Sequence, residues 1–480
     1  MKRRLFELLK SRFFRDTATL QIAGMLNQVS QLASTVFMAF LLGAEGQGHF
    51  VLAVALQGLL HFLINTGVVP ATVSQIAAAH VRGNHEKTAG WIAFLAKAVL
   101  TFGLIILVVG WFVLPWVGER FYDEPSHGHG REIGTWAWIL CLEPLLDLPR
   151  VVAAVAFQGT RRMRALGQVE NADEIVRFFL VVVGAAITGS PAGAVAGMVI
   201  AAAIGSVLAI ELYGAARHDG GPPLPGVRDI ARRMREVPLW RGLRLGIRVG
   251  LLKNGTALFL SIFPRLIIGK FVGAEWTSYF HIAQRVLTIP TMFMLGVSRT
   301  SLSALGELAG RKDWHGFRRL FTRVSLITGG ALSLLILLGL PLVQPVVARL
   351  FPASYVKPVY TYYWILSLGY IPFTFAVAIE SFYIATNHVR TWLWITVIGA
   401  IVTIPTNVWL ILNVPYTGTA WGLSLYQAWV VVHLAWIFWN FKRGPPAAWS
   451  REPDATEAEE SGTLVEAGID LSGRASGTLE

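Results

Sequence analysis

The side chains most able to do chemistry in this 480-residue chain are charged groups set inside long apolar runs. The stretch "LEPLLDLPR" carries Glu143, Asp147 and Arg150. At 100° per residue these fall at about 0°, 40° and −20° on a helix, a single narrow stripe. Pro144 and Pro149 each remove a backbone donor, which frees carbonyls beside the acids. Such a stripe suits a cavity that binds a cation or proton, or that contacts hydroxyl groups. The other reading is an Asp147–Arg150 pair that satisfies itself and fixes helix packing.

Cations recur further along. Arg285 and Arg299 are fourteen residues apart, about −40° on a helix, and so share a face. Lys253 and Arg265 are about 120° apart on a straight helix, and both face one lumen only if Pro264 bends the span. An arginine fork matches a phosphate. An anion crossing hydrocarbon is stabilised by pairing with such groups, with Arg285 and Lys253 the first candidates and Arg265 and Arg150 the next. The competing reading is snorkelling or pairing with Glu143 or Asp147. Asn27, Gln28 and Gln31 sit together in an early apolar run, where they contact a polar ligand or bond between helices. Glu380 is a candidate gate or coupling residue, and His61 reads as a packing histidine.

The elements that must position these residues are membrane spans. The chain is 54% hydrophobic and 15% charged, with a mean hydropathy of +0.54. Soluble domains carry about 25% charged residues. Apolar runs of roughly 20 residues, enough to cross a bilayer as helix, recur along most of the length. The pattern predicts twelve spans: 17–42, 48–69, 89–115, 133–158, 168–188, 191–213, 246–271, 278–301, 323–347, 359–384, 391–412 and 418–440. They form two units, 17–214 and 246–443, joined by a Gly/Pro-rich, basic connector at 215–245. Residues 1–16 read as a basic lead-in rather than a cleavable signal. Residues 444–480 are acidic and poor in apolar groups, and read as a disordered tail.

The net charge of +12 follows this topology. "TRRMR" (160–164), "RDIARRMREVPLWRGLR" (228–244) and "GRKDWHGFRRLFTR" (310–323) fall on the side of the lead-in. Positive residues mark cytoplasmic loops, so both termini are expected there, in the cell membrane, and nucleic-acid binding is not. Tryptophans such as Trp111, Trp116, Trp436 and Trp439 near span ends fit an aromatic belt. One cysteine, Cys141, excludes an internal disulfide. No nucleotide-binding, hydrolase or transferase motif is present, so no enzyme activity or cofactor is expected beyond proton or sodium coupling. A membrane glycosyltransferase or polymerase needs a larger outer loop than 118–132, although Glu119, Asp123, Glu124, His127 and His129 leave that loop some room for a metal.

The two units are similar. "GAEGQGHF" (43–50) and "GAEWTSYF" (273–280) are 230 residues apart. Gly67 pairs with Gly296 and Gly83 with Gly310, at offsets of 229 and 227. "GAVAG" (193–197) meets "GTAWG" (418–422) near the end of each half. An even number of spans per copy gives both the same orientation, so the lobes should be related by a pseudo-two-fold axis along the membrane normal. The octamers are expected to close equivalent outer hairpins, not to form the site.

"STVFMAFLLGAEGQGHFVLAVALQGLLHFLINTGV" (34–68) with "SQIAAAHVRGNHEK" (74–87) resembles the opening of the bacterial polysaccharide-biosynthesis flippases, of O-antigen type. "GKFVGAEWTSYFHIAQRV" (269–286) and "VVARLFPASYVKPVYTYYWILSLGYIPF" (346–373) resemble that family's seventh-to-eighth and ninth-to-tenth span segments. These proteins belong to the multidrug/oligosaccharidyl-lipid/polysaccharide exporter superfamily. The resemblance covers about residues 15–443 and implies an all-α membrane protein of two six-helix lobes. It implies flipping of an undecaprenyl-pyrophosphate-linked oligosaccharide between leaflets by alternating access, for surface polysaccharide such as lipopolysaccharide. Membrane lipids, a polysaccharide polymerase and export machinery are the partners it implies. Cation-coupled drug export and peptidoglycan-precursor flipping are the alternatives within the superfamily.

Overall fold

The computed structural model describes residues 12–61, 68–81, 83–122, 129–160, 162–218, 223–240, 262–386 and 388–445. Among them there is no strand, and seven helices are long and apolar enough to cross a membrane.

The first lobe holds α1 (Arg12–His61), α2 (Val68–Val81), α3 (His85–Tyr122), the broken rod α4 (Gly130–Leu140), α5 (Glu143–Leu146) and α6 (Leu148–Gly159), then α7 (Met163–Thr188) and α8 (Pro191–Ala216). α9 (Val227–Glu236) follows in the connector. The second lobe holds α10 (Phe263–Phe271), α11 (Ala274–Gly310), α12 (Trp314–Leu350), α13 (Ala353–Thr374) continued through a 3-10 turn (Phe375–Ala378) into α14 (Ile379–Ala385), then α15 (Val389–Asn413), α16 (Gly418–Ala428) and α17 (Val430–Arg443).

Where they are described, several helices run past the bounds expected for the spans. The third span was expected at 89–115 and its helix runs 85–122; the eighth was expected at 278–301 and its helix runs 274–310. The extra turns carry charges such as Glu86, Lys87 and Glu119, which hydropathy excludes from a span although they continue a helix into water. Residues 241–261, most of the expected seventh span, lie outside the described residues, as do the lead-in up to residue 11 and the tail from 446.

Both octamers are hairpins. α1 changes direction at Gly43, whose φ is 66°, and α10 passes to α11 through Gly273, with φ 124°. Only glycine adopts such angles without strain. The fourth rod of each lobe breaks at matching places. Pro144 and Pro149 interrupt α4–α6, and Pro372 precedes the 3-10 turn that interrupts α13–α14. Pro144 and Pro372 are 228 residues apart, within the range of the repeat offsets. In each lobe a serine from a neighbouring helix donates to a carbonyl at the break: Ser206 to Leu146 at 2.6 Å, Ser333 to Ile371 at 3.3 Å. A backbone acceptor left open in hydrocarbon would cost several kcal/mol, which explains the donors.

The first lobe has its own core, with Leu52, Ile92, Cys141 and Phe157 fully buried. Ile230 of α9 joins that core, Lys97 donates to the Val237 carbonyl at 2.8 Å, and Arg233 pairs with Glu86 at 3.2 Å. A second core spans the seam: Ala39, with Val36 and Ala44 of α1, packs against Tyr279, Phe280 and Ala283 of α11. α1 and α11 are therefore the inner helices on which the lobes face each other.

Candidate functional site

The site is built from the deep parts of α1 and α11 and the broken rod beside them. Arg285 lies twelve residues past Gly273, and Gln31 twelve residues before Gly43. At 1.5 Å per residue both are about 18 Å below the hairpins, close to the middle of a hydrocarbon layer roughly 30 Å thick. They meet there: Arg285 Nη1 donates to Gln31 Oε1 across the seam. Gln31 in turn donates to Asn27 at 2.5 Å. Gln28 is half-buried on the same helix.

On the second-lobe side, Arg265 donates to Gln284 at 3.2 Å. Arg265, Arg285 and His281 are close enough to feel one another's charge. The Nε atoms of both arginines and Nδ1 of His281 are buried without a hydrogen-bond partner. Neither arginine has a carboxylate within ion-pair distance among the described residues, and Glu174 is the acid whose field reaches Arg285. Pro264 stands in the first turn of α10, directly before Arg265. Lys253 and the side chain of Arg299 lie outside the described residues.

The first-lobe side is arranged differently. Arg150 grips Asp147 with two nitrogens, one at 2.5 Å, and reaches Asp173 at 3.5 Å. Arg177 bonds Glu143 and also reaches Asp173 at 3.5 Å. Asp147 and Asp173 are nearly fully buried. The helix is broken between Glu143 and Arg150, yet the stripe survives because each break keeps near-helical angles. The result is a network of three acids and two arginines, in which Arg150 is already engaged and Oδ1 of Asp173 is buried without a hydrogen-bond partner. Asp173, Glu174 and Arg177 were missed by the sequence reading. The signal was there: "DEIVR" places Asp173 and Arg177 four residues apart, on one helix face, inside an apolar run.

The two sides therefore differ in sign. Acids gather in the first lobe, and partly unsatisfied cations in the second. At repeat-equivalent places the first lobe has Ala55 for Arg285 and Thr35 for Arg265, so neither cation is repeated in the first lobe. Glu380 lies in the first turn of α14 beside the second-lobe break and is half-buried, away from this cluster in the chain.

Above the charges the lobes are tightly joined at the hairpin end. A β-carbon on Gly48 would lie 1.8 Å from the Ala274 carbonyl oxygen, so the two octamers are in backbone contact. Gln47 donates to the Thr35 carbonyl at 3.0 Å and accepts from Ser278 at 2.8 Å and Tyr355 at 3.4 Å. Tyr122 donates to the Leu266 carbonyl at 3.2 Å.

Comparison with known proteins fits this architecture. A family profile described as polysaccharide biosynthesis protein matches residues 13–302, more than half of the chain. The chain belongs to the polysaccharide biosynthesis protein family. A second profile, MatE, matches residues 251–409. Stage V sporulation protein B of Bacillus subtilis (strain 168) is 26% identical over 184 residues, 37% of this chain and 33% of that protein. The match thus spans about a third of that relative's length.

Solved structures share the fold of this family member at low identity. An inward-facing multidrug resistance MATE family transporter of the MOP superfamily superimposes with TM-score 0.66 at 15% identity, covering 87% of this chain and 95% of that one. A MOP superfamily transporter from Pyrococcus furiosus, whose binding pocket is described as reversed in polarity, gives 0.65 at 15% over 93% and 98%. The lipid II flippase MurJ in an inward closed conformation gives 0.63 at 14% over 87% and 86%. The chain is an all-α, multi-pass membrane protein with the two-lobed fold of MOP-superfamily transporters.

Proposed function

We propose that this protein flips an undecaprenyl-pyrophosphate-linked oligosaccharide from the inner to the outer leaflet of the cell membrane, by alternating access between its lobes. The observation that carries the reading is the pair Arg265 and Arg285, held at mid-membrane depth beside the seam with buried Nε atoms unpartnered. Guanidinium groups desolvated without a carboxylate are costly unless an anion arrives. A pyrophosphate supplies one, and its fork-shaped hydrogen bonding suits two arginines. Gln28 and Gln31 stand where hydroxyls of the attached sugars would pass, and Lys253 is a further proposed phosphate contact.

The first-lobe network of Glu143, Asp147, Arg150, Asp173 and Arg177 is the proposed coupling element. An arriving proton or sodium ion would release an arginine from an acid and loosen the packing of α5–α7. On this reading both termini and the basic connector are cytoplasmic, as the positive-inside rule suggests, and the hairpin end is periplasmic. The seam as described is then closed outward. Synthesis of an O-antigen type polysaccharide, with a polymerase and export machinery downstream, is the setting this reading implies.

A cation-coupled drug exporter is the second reading, favoured by the MatE match. The two separate on charge. Deletion in a host lacking a paralogue should trap lipid-linked glycan in the inner leaflet. Normal export in that strain would remove the flippase reading, and loss of resistance to cationic drugs would favour the second.

A further inference from the structure

A cavity of about 320 Å3 lies at the hairpin end, apart from the arginine site. It is lined from both lobes, by Glu45, His49 and His129 on one side and by Lys270, Glu275 and Trp276 on the other. Glu45 and Glu275 are the third residues of the two octamers, so the repeat delivers the same acid to one cavity twice. His49 and His129 rings are 5.1 Å apart. Trp276 sits 4.7 Å from the Tyr416 ring, which also lines the space.

We propose that this cavity binds the sugar part of an oligosaccharide, and that a bound sugar holds the hairpin end shut. The proposal rests on the flippase reading for the identity of the glycan. The lining decides the ligand class. A simple anion meets Glu45 and Glu275, and a simple cation meets Lys270. A neutral, hydroxyl-rich molecule finds donors and acceptors side by side, with Trp276 and Tyr416 to cover the apolar face of a ring. The volume is at the small end of ligand sites, roughly 300–1,000 Å3, and accepts about one or two sugar rings. Because the walls come from both lobes, the cavity exists only while the lobes touch. A ligand that binds one state better shifts the population toward it, so sugar on the hairpin side favours the closed seam. Product accumulating outside then slows its own export.

The test uses purified protein in nanodiscs and oligosaccharide hydrolysed from the host's own lipid-linked pool, titrated calorimetrically. Saturable binding is expected, weakened at least tenfold by Trp276→Ala and by the double variant Glu45→Gln/Glu275→Gln, and unchanged by Arg285→Ala. Intact lipid-linked glycan should lose affinity with Arg285→Ala, which separates the two sites. If the released oligosaccharide does not bind while the lipid-linked form binds through Arg285, the cavity proposal is overturned and the transport reading stands. Failure of the lipid-linked form to bind, with sugar binding intact, sinks the transport reading instead. Binding of tetraphenylphosphonium in this cavity in preference to sugar, read as loss with Trp276→Ala, overturns the assignment to a neutral ligand.

Discussion

Replacing Gly48 by alanine should force the hairpin end open. The new β-carbon would lie 1.8 Å from the Ala274 carbonyl oxygen, where about 3.4 Å is needed, so the octamers must separate by roughly 1.5 Å. That distance breaks the bonds from Ser278 and Tyr355 to Gln47, now at 2.8 and 3.4 Å. A hydrogen bond is worth about 1 kcal/mol net, and a buried polar group left unpaired costs about 1–3 kcal/mol. The closed state should lose about 2–4 kcal/mol, roughly a 30- to 1,000-fold change in the closed-to-open ratio. Spin labels at Trp116→Cys and Leu412→Cys read the change. Both positions are exposed, one on each lobe near the hairpin end, and Cys141 is buried away from the label. The wild type should give a single distance population, and Gly48→Ala a second, longer one. An unchanged distribution would refute the assignment of the octamers as the closure.

Other consequences follow from the same geometry. Arg177→Ala leaves Glu143 without its arginine and takes one from Asp173, so it should cost about 3–5 kcal/mol and lower the melting temperature sharply. Arg233→Ala breaks a pair whose glutamate is largely exposed, and should change the melting temperature little, because surface pairs contribute about 0–1 kcal/mol. His388, in the turn before α15, is held below its ordinary value by burial, opposed by a backbone hydrogen bond at Thr386. The unfolded chain therefore takes a proton first as pH falls through 6.5, and stability drops below that pH. Melting curves at pH 7.5 and 5.5 should show a smaller difference in His388→Gln than in the wild type.

Much of this was legible in the residues. Hairpins at Gly43 and Gly273 follow from glycine spacing, since positive φ is costly for other side chains. The Asp147–Arg150 pair follows from helical spacing alone. The partners of Glu143 and of Asp147's neighbour did not, because Arg177 and Asp173 come from a helix packed across the lobe, and helix periodicity carries no information about which faces meet. Gln47 shows the same limit. It reads as one polar residue in a turn, yet it holds Thr35, Ser278 and Tyr355 together across the seam. The matched breaks at Pro144 and Pro372 were visible as prolines, but their equivalence needed the structure to show that both interrupt the fourth rod.

The central claim is that the seam carries a lipid pyrophosphate on Arg265 and Arg285. The direct measurement is flipping in proteoliposomes, read as the rate at which a pyrophosphate-linked oligosaccharide in the inner leaflet becomes accessible to an external glycosidase. The wild type should accelerate it, and Arg285→Ala and Arg265→Ala should each reduce the rate at least tenfold while Gly330→Ala, an open position on α12, leaves it unchanged. Equal rates in the wild type and in the Arg265→Ala/Arg285→Ala double variant would contradict the account.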